Sequence, residues 1–473
     1  MTATIKFGTS GWRAIIADDF TFANVRLATA AIVEHVRSRN PKATLIVGHD
    51  TRFFAEEFTH TAAEILREHG VRALLCDDPT PTPVIAHEII RSKVDGAINF
   101  TASHNPAEYQ GLKFSGPDGG PALPEVTHDI EARAVKLGER APAKPNDNPF
   151  EKVDPRGAYL ERLAQLVNFK SLGAAKLSVV TDALHGCGAG YLDEALSSHG
   201  VKVTALRTAR DVLFDGSGPD VSEENMQKTR AALLANKTAV GLATDGDADR
   251  FGILDCDGAW VQPNHILGLV YDYLVETRGW KMPAARSVAT SHLMDAVARL
   301  HGTTVIQTPV GFKYIGELIQ ADKIAMGGEE SAGLTIRGHI PEKDGILACL
   351  LVAEMIAVRR APLSEQLRAL FKRVGSEFWP QRANLHLPVD VKLRTVARLK
   401  SDFKSFIGRR VKSLDRTDGL KMEFEDGSWV LLRLSGTEPL MRVYTEAATL
   451  KESLQIASET EAWVNDSSKE EAA

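Results

Sequence analysis

Cysteine is scarce in this chain of 473 residues, and positive charge does not exceed negative: 56 Lys and Arg stand against 62 Asp and Glu, for a net charge of −6. The four cysteines, Cys76, Cys187, Cys256 and Cys349, are scattered and form no CxxC pair. That pattern suggests neither a cysteine zinc site nor a disulfide framework. Each lies in or beside an apolar run such as LLCDD or ILACLLV, so buried reduced thiols are expected. The acidic balance argues against a nucleic-acid binder and an anionic membrane surface. An anionic ligand would need a local basic pocket. The longest apolar stretch, GILACLLVAEMIAV, contains Glu354 and is too short to span a bilayer. The opening MTATIKFGTSGWRAII has no apolar core behind basic residues, unlike a secretion signal. A cytoplasmic protein is expected.

What is present is an ordinary globular composition, 44% hydrophobic and 25% charged, in a chain too long for one core. Buried-strand and helix patterns alternate. ATLIVGHD precedes EEFTHTAAEILREHG, then VRALLCDD, PVIAHEIIRSK and DGAINFTASHN repeat the order, which predicts βαβ units on a largely parallel sheet. APAKPNDNPFEKVDP reads as a connection. A second round runs from KLSVVTDALHG to AVGLATDGDADR, and a third from HILGLVYDYLVETRG to DGILACLLVAEMIAVRR. In the last hundred residues, LHLPVDV, LKMEFEDGSWVLLRLSG and MRVYTEA predict antiparallel strands, with a hairpin at Glu425-Asp426-Gly427. The tail VNDSSKEEAA predicts disorder. The expected fold is α/β: three α/β domains with mixed, mostly parallel sheets (1–150, 151–258 and 259–372) and a C-terminal α+β domain (373–473).

The strongest chemical signal is TDGDADRFG. Asp245, Asp247 and Asp249 alternate after an apolar run, and in an extended segment such residues project to one side. Three converging carboxylates call for a cation, and oxygen-only ligands favour Mg²⁺. An EF-hand would need Gly and Glu where Arg250 and Cys256 stand. A haloacid-dehalogenase-type phosphatase would have Thr where Asp249 stands. A solvated acidic turn suits one or two aspartates better than three.

TASHNPAEYQGLKF carries Ser103, His104 and Lys113. A serine before Asn-Pro often bonds backbone in a turn, and no G-x-S-x-G elbow supports a serine hydrolase. With a metal nearby, a serine phosphate would be a strong ligand completing an open three-carboxylate site. GGEESAG places Glu329 and Ser331 in a glycine-flanked loop suited to sugar hydroxyls, or equally to a turn with exposed acids. RLSGTEPLMR combines Arg433, Ser435, Gly436, Thr437 and Arg442 as an anion nest. GTSGWRA adds Arg13, and KDG adds Lys343. His49, Asp50 and Arg52 in VGHDTRF suggest structural packing, whereas His185 and His301 read as ordinary surface or packing histidines.

Together these motifs resemble the α-D-phosphohexomutase family along nearly the whole chain. TASHNP is similar to its phosphoserine loop, DGDADR to its metal loop, GEESAG to its sugar loop and RLSGTEP to its phosphate loop. FGTSGWRA and TPVGFKY…EKDG also resemble family segments. The resemblance implies four domains around one central cleft, with Ser103 as phosphoryl carrier. Mg²⁺ would be bound by the Ser103 phosphate with Asp245, Asp247 and Asp249. It implies interconversion of hexose monophosphates through a bisphosphate, with glucose 1,6-bisphosphate as activator and intermediate. Arg250 and Lys113 would neutralise the transferring phosphoryl group, and His104 or Lys113 would exchange the hydroxyl proton. Arg13, Glu329, Ser331, Lys343, Arg433, Ser435, Gly436, Thr437 and Arg442 would bind substrate. The expected partners are hexose phosphates, with the chain as a monomer or weak homodimer.

Glu330 between Glu329 and Ser331 resembles the glucose-phosphate type of sugar loop, where glucosamine types more often carry Gln and mannose types Met. Phosphomannomutase, phosphoglucosamine mutase and a non-catalytic sugar-phosphate-binding relative stand as the alternatives.

Overall fold

The computed structural model describes residues 5–8, 11–138, 148–434 and 440–466. The first sheet has the order β1-β5-β4-β2-β3-β6, built from β1 (Trp12–Ile15), β2 (Thr44–His49), β3 (Arg72–Leu75), β4 (Gly96–Phe100), β5 (Tyr109–Ser115) and β6 (Glu151–Lys152). β2, β3, β4 and β6 pair in parallel, and β5 runs antiparallel to both β4 and β1. The expected connection APAKPNDNPFEKVDP therefore contributes its Glu151–Lys152 to this sheet.

The second sheet, β10-β9-β7-β8, comprises β7 (Ser178–Asp182), β8 (Lys202–Leu206), β9 (Val240–Thr244) and β10 (Phe251–Asp255). The third, β12-β11-β13-β14, comprises β11 (Ala284–Ser287), β12 (Val305–Thr308), β13 (Met326–Glu329) and β14 (Gly333–Ile336). Each has a parallel interior and one antiparallel edge, β9/β10 and β13/β14. Those two antiparallel turns carry the acidic motif and the Glu329 motif.

The long apolar segment forms the helix Gly345–Arg359, buried along most of its length, which packs on β9, β10 and β14. Its sides are apolar all round because the second and third units share one core with it. No helix among the described residues is long and apolar enough to cross a membrane.

The C-terminal sheet is antiparallel, β15-β20-β19-β18-β17-β16, made of β15 (Trp379–His386), β16 (Ser405–Phe406), β17 (Arg409–Asp415), β18 (Leu420–Phe424), β19 (Trp429–Leu434) and β20 (Leu440–Ala447). The hairpin falls where expected, with Gly427 at φ +85° between β18 and β19. Three expectations need correction. In LHLPVDV, only LH belongs to β15, and the helix Val389–Arg398 starts directly after Pro388. Proline has no amide to lose at a helix start, so it opens the helix there. Val464 and Asn465 of the tail finish the helix Leu450–Asn465, whereas 467–473 lie outside the described residues. Cys256 is exposed in the turn after β10, unlike the other three cysteines.

Candidate active site

Ser103 follows β4, in the turn that leads back into β5. It is a non-glycine residue at φ +54°, and it is almost fully buried. Left-handed backbone costs an L-residue about 1–2 kcal/mol, so the surroundings must hold it. Its amide donates to Thr101 Oγ1 at 2.9 Å, and the Thr101 hydroxyl donates to Asp50 Oδ2 at 2.6 Å. Its own hydroxyl donates to Asp245 Oδ2 at 2.8 Å, 142 residues further along the chain. His104 Nδ1 stands 3.3 Å from Ser103 Oγ. Burial, with Arg250 and Arg13 adding to it, keeps the imidazole well below its usual range and hence neutral.

Asp245, Asp247 and Asp249 lie between β9 and β10, each offering an oxygen within 4.8 Å of the others, and all three are buried. They converge as expected but for another reason: the segment is a turn, with Ala248 at φ +56°, not an extended strand. Gly246 is required there, since a Cβ at that position would lie 2.5 Å from the Ser103 carbonyl oxygen. The serine loop and the acidic loop thus meet backbone to backbone. Thr82, at the start of the helix Thr82–Ser92, donates its amide to the Asp247 carbonyl and its hydroxyl to Asp247 Oδ2 at 2.6 Å. Asn99 on β4 in turn donates to Thr82 Oγ1. Neither residue carries a sequence signal.

Lys113 on β5 reaches Asp247 Oδ2 at 2.5 Å and Asp249 Oδ2 at 3.0 Å. Burial lowers its affinity for a proton, but Asp247 and Asp249 outweigh that and raise it, which favours the charged amine. Lys343, expected among the substrate-binding residues, lies against Asp249 Oδ2 at 3.1 Å and Glu342 Oε1 at 3.0 Å. Arg250 donates its amide to Asp245 Oδ1 and holds its Nε 3.8 Å from Asp249 Oδ1. Burial opposes the Asp249 charge, yet Lys113, Lys343 and Arg250 hold that carboxyl below the usual range. Burial together with Asp247 and Asp249 drives Asp245 the other way, well above it.

The arrangement fits a divalent cation. Asp247 Oδ1 and Asp249 Oδ1 are buried with no hydrogen-bond partner, and the donor set is all oxygen. A second such cluster among the described residues, Asp272, Glu276 and His301, does not fit one. Arg359 and Arg373 each bond both of its carboxylates, and His301 bonds Asp272, as a packing histidine would.

Two further groups meet at the turn of Val310 and Gly311. Glu329 ends β13, and its Oε1 accepts the Gly311 amide at 2.7 Å. Burial, reinforced by Glu330, pushes its carboxyl up from 4.5 to about 7. Ser331 is half-buried in the following turn. Glu330 Oε2 accepts the hydroxyls of Ser287 and Thr290. In the C-terminal unit, Arg433 and Arg442 pair in register on β19 and β20. Arg433 Nε donates to Asp418 Oδ2 at 2.8 Å, and the same oxygen accepts the Val310 amide. Adjacent amides at Val310 and Gly311 therefore hold the partner of Arg433 and the carboxylate of Glu329. Arg13 donates to Asn105 Oδ1 at 2.7 Å, tying β1 to the serine loop. Ser435, Gly436 and Thr437 lie outside the described residues.

Family profiles match in order along the chain. Three are described as phosphoglucomutase/phosphomannomutase alpha/beta/alpha domains I, II and III, matching residues 4–141, 157–258 and 262–374, and the fourth is the C-terminal domain at 385–462. A Thermococcus kodakarensis phosphoglucomutase/phosphomannomutase is 29% identical, covering 93% of this chain and 94% of its own. A Frankia casuarinae phosphoglucosamine mutase is 30% identical, covering 94% of each. The solved structure of a Thermus thermophilus protein, described as a candidate phosphomannomutase, superposes with a TM-score of 0.87. It is 32% identical and covers 98% of this chain and 100% of its own.

Proposed function

This chain belongs to the phosphoglucomutase/phosphomannomutase family of phosphohexomutases, and on that premise we propose that it is a phosphoglucomutase. It interconverts glucose 1-phosphate and glucose 6-phosphate through a phosphate carried on Ser103 and a glucose 1,6-bisphosphate intermediate. The four-domain division at 1–150, 151–258, 259–372 and 373–473 belongs to the same reading, with Glu151 and Lys152 moved to the first domain because they pair with β3. The observation that carries it is the Ser103 hydroxyl held 2.8 Å from Asp245, beside two buried, unpartnered carboxylate oxygens.

Asp245, Asp247 and Asp249 would hold Mg²⁺ together with the Ser103 oxygen, and the ion when bound supplies Lewis-acid neutralisation of phosphate charge. The residues of the chain do the rest. Phosphoryl transfer needs positioning and charge neutralisation above all. When a substrate hydroxyl attacks phosphoserine 103, the new P–O bond forms as the bond to Ser103 Oγ breaks. The hydroxyl proton leaves to a base, and Ser103 Oγ takes one up. His104, neutral and 3.3 Å from Oγ, suits that exchange, whereas Lys113 is committed to two carboxylates. Lys113, Lys343 and Arg250 offset the phosphoryl charge, and Arg13 steadies the serine loop through Asn105. After transfer, the bisphosphate reorients and returns its other phosphate to Ser103.

Glu329 and Ser331 hold ring hydroxyls. Arg433, Arg442 and the Ser435-Gly436-Thr437 segment hold the phosphate that is not reacting. Glucose is favoured because Glu330, in place of Gln or Met, is braced by Ser287 and Thr290. Parallel assays on glucose 1-phosphate, mannose 1-phosphate and glucosamine 1-phosphate test this. The highest kcat/KM is expected with glucose 1-phosphate, and a higher value with either other sugar would overturn the glucose assignment.

A further inference from the structure

Arg52, in the motif VGHDTRF, is wholly buried, yet its guanidinium does not touch the carboxylates of the site. It donates instead to four backbone carbonyls of the serine loop. Nη2 reaches Ser103 O at 2.7 Å and Asn105 O at 2.5 Å, while Nη1 reaches Pro106 O at 2.7 Å and Tyr109 O at 3.0 Å. Nε donates to Asp50 Oδ2 at 3.2 Å. Asp50 also accepts the Thr101 hydroxyl, and Thr101 Oγ1 accepts the Ser103 amide. The peptide on each side of Ser103 is thus fixed from one Asp50–Arg52 unit. The second α/β unit holds that unit from outside. Arg210 donates to the carbonyls of Thr51 and Arg52, Thr51 Oγ1 donates to the His185 carbonyl, and Phe214 lies 5.0 Å from the Arg52 guanidinium.

We infer that Arg52 is the positioning residue of the phosphoryl carrier: by clamping four carbonyls it holds Ser103 in its left-handed conformation with Oγ aimed at the acidic triad. A planar fork with five donors suits this, and a lysine does not, because three donors on one nitrogen cannot span carbonyls on both sides of the turn. A residue serving only to neutralise buried Asp50 would tolerate lysine. The inference rests on Ser103 being the carrier.

The test compares wild type with Arg52→Lys. Each is stripped of phosphate and then mixed with glucose 1,6-bisphosphate, and phosphate appearing on Ser103 is followed by quenched-flow mass analysis. Steady-state kcat and KM, circular dichroism and thermal unfolding are measured alongside. Arg52→Lys should stay folded and keep KM within threefold, while Ser103 phosphorylation and kcat fall together by about 100-fold, the scale of a misplaced reacting atom. Phosphorylation within threefold of wild type would overturn the clamp. Should Arg52→Lys not fold, Thr101→Val decides. It keeps the side-chain shape, removes both Thr101 bonds, and should slow Ser103 phosphorylation about tenfold by the same misplacement, an unchanged rate overturning the proposal. Wild type that takes no phosphate on Ser103 would instead overturn the carrier reading beneath it.

Discussion

The two walls of the cleft that the family resemblance implies are held in different ways. On the wall with Ser103, three α/β units meet within a few ångströms. Ser103 bonds Asp245, Lys113 and Lys343 both reach Asp249, and the Gly345 amide donates to the Ala248 carbonyl. On the facing wall, Glu329 and Arg433 are held through neighbouring amides of one short turn, by way of Gly311 and of Asp418 on Val310. The third and fourth units meet there over a small apolar patch of Val288, Ala289, Trp429, Leu431 and Tyr444. Tyr444 carries both influences, its hydroxyl pushed up by burial and by Glu330. On the proposed function, phosphoryl chemistry falls where three units lock together, and recognition of sugar and distal phosphate falls where the third and fourth units meet.

Substitutions on the two walls should therefore fail differently. The largest effect belongs to Ser103→Ala, which should cut kcat by about 10⁴-fold or more, the scale of losing a covalent nucleophile. Circular dichroism and unfolding temperature should stay near wild type, since the methyl group tolerates the turn. Next comes Asp247→Asn, which should weaken Mg²⁺ binding by about 100-fold, at least as much as outer partners of a metal site contribute. Isothermal titration with Mg²⁺ checks it, and chelation of wild type should abolish turnover until Mg²⁺ is restored.

On the other wall, Arg433→Ala should raise KM about tenfold, near 1.4 kcal/mol for one charge-assisted hydrogen bond, equally for every hexose phosphate. A change confined to one sugar would move Arg433 from phosphate to sugar recognition. The smallest effect is expected at Glu329. Its carboxyl, raised to about 7 by burial and Glu330, is largely protonated below that pH. As pH rises through about 7 the anion forms, so KM should fall, and Glu329→Gln should flatten that profile with KM up about threefold in both directions of reaction. The raised value also means that the native state holds a proton the unfolded chain has lost between 4.5 and about 7. Its contribution to stability is thus full below 4.5 and lost as pH rises through about 7.

Residue types that tolerate few arrangements were legible one-dimensionally. Three alternating aspartates demanded convergence, and the structure brings them within 4.8 Å, although by a turn that Asp245-Gly246 signals and an extended reading overlooks. The βαβ rounds and the C-terminal hairpin followed from periodicity and from Gly427. Long-range pairing was not legible. Arg52 suggested packing because nothing local shows that its partners are carbonyls more than fifty residues on. The approach of Lys343 to Asp249 was not legible because it depends on how the third unit folds back on the second. Thr82 and Asn99 act through a helix start and a strand face, which ordinary residues occupy without any signature.

One measurement bears most directly on phosphate carriage by Ser103. Wild-type protein carrying isotopically labelled phosphate on Ser103 is mixed with a single equivalent of unlabelled glucose 1-phosphate, and both protein and sugar are analysed within one turnover. Label that leaves Ser103 and appears in glucose 1,6-bisphosphate and then in glucose 6-phosphate is the predicted result. Label that stays on Ser103 while glucose 6-phosphate forms, or that sits on another residue, would contradict it.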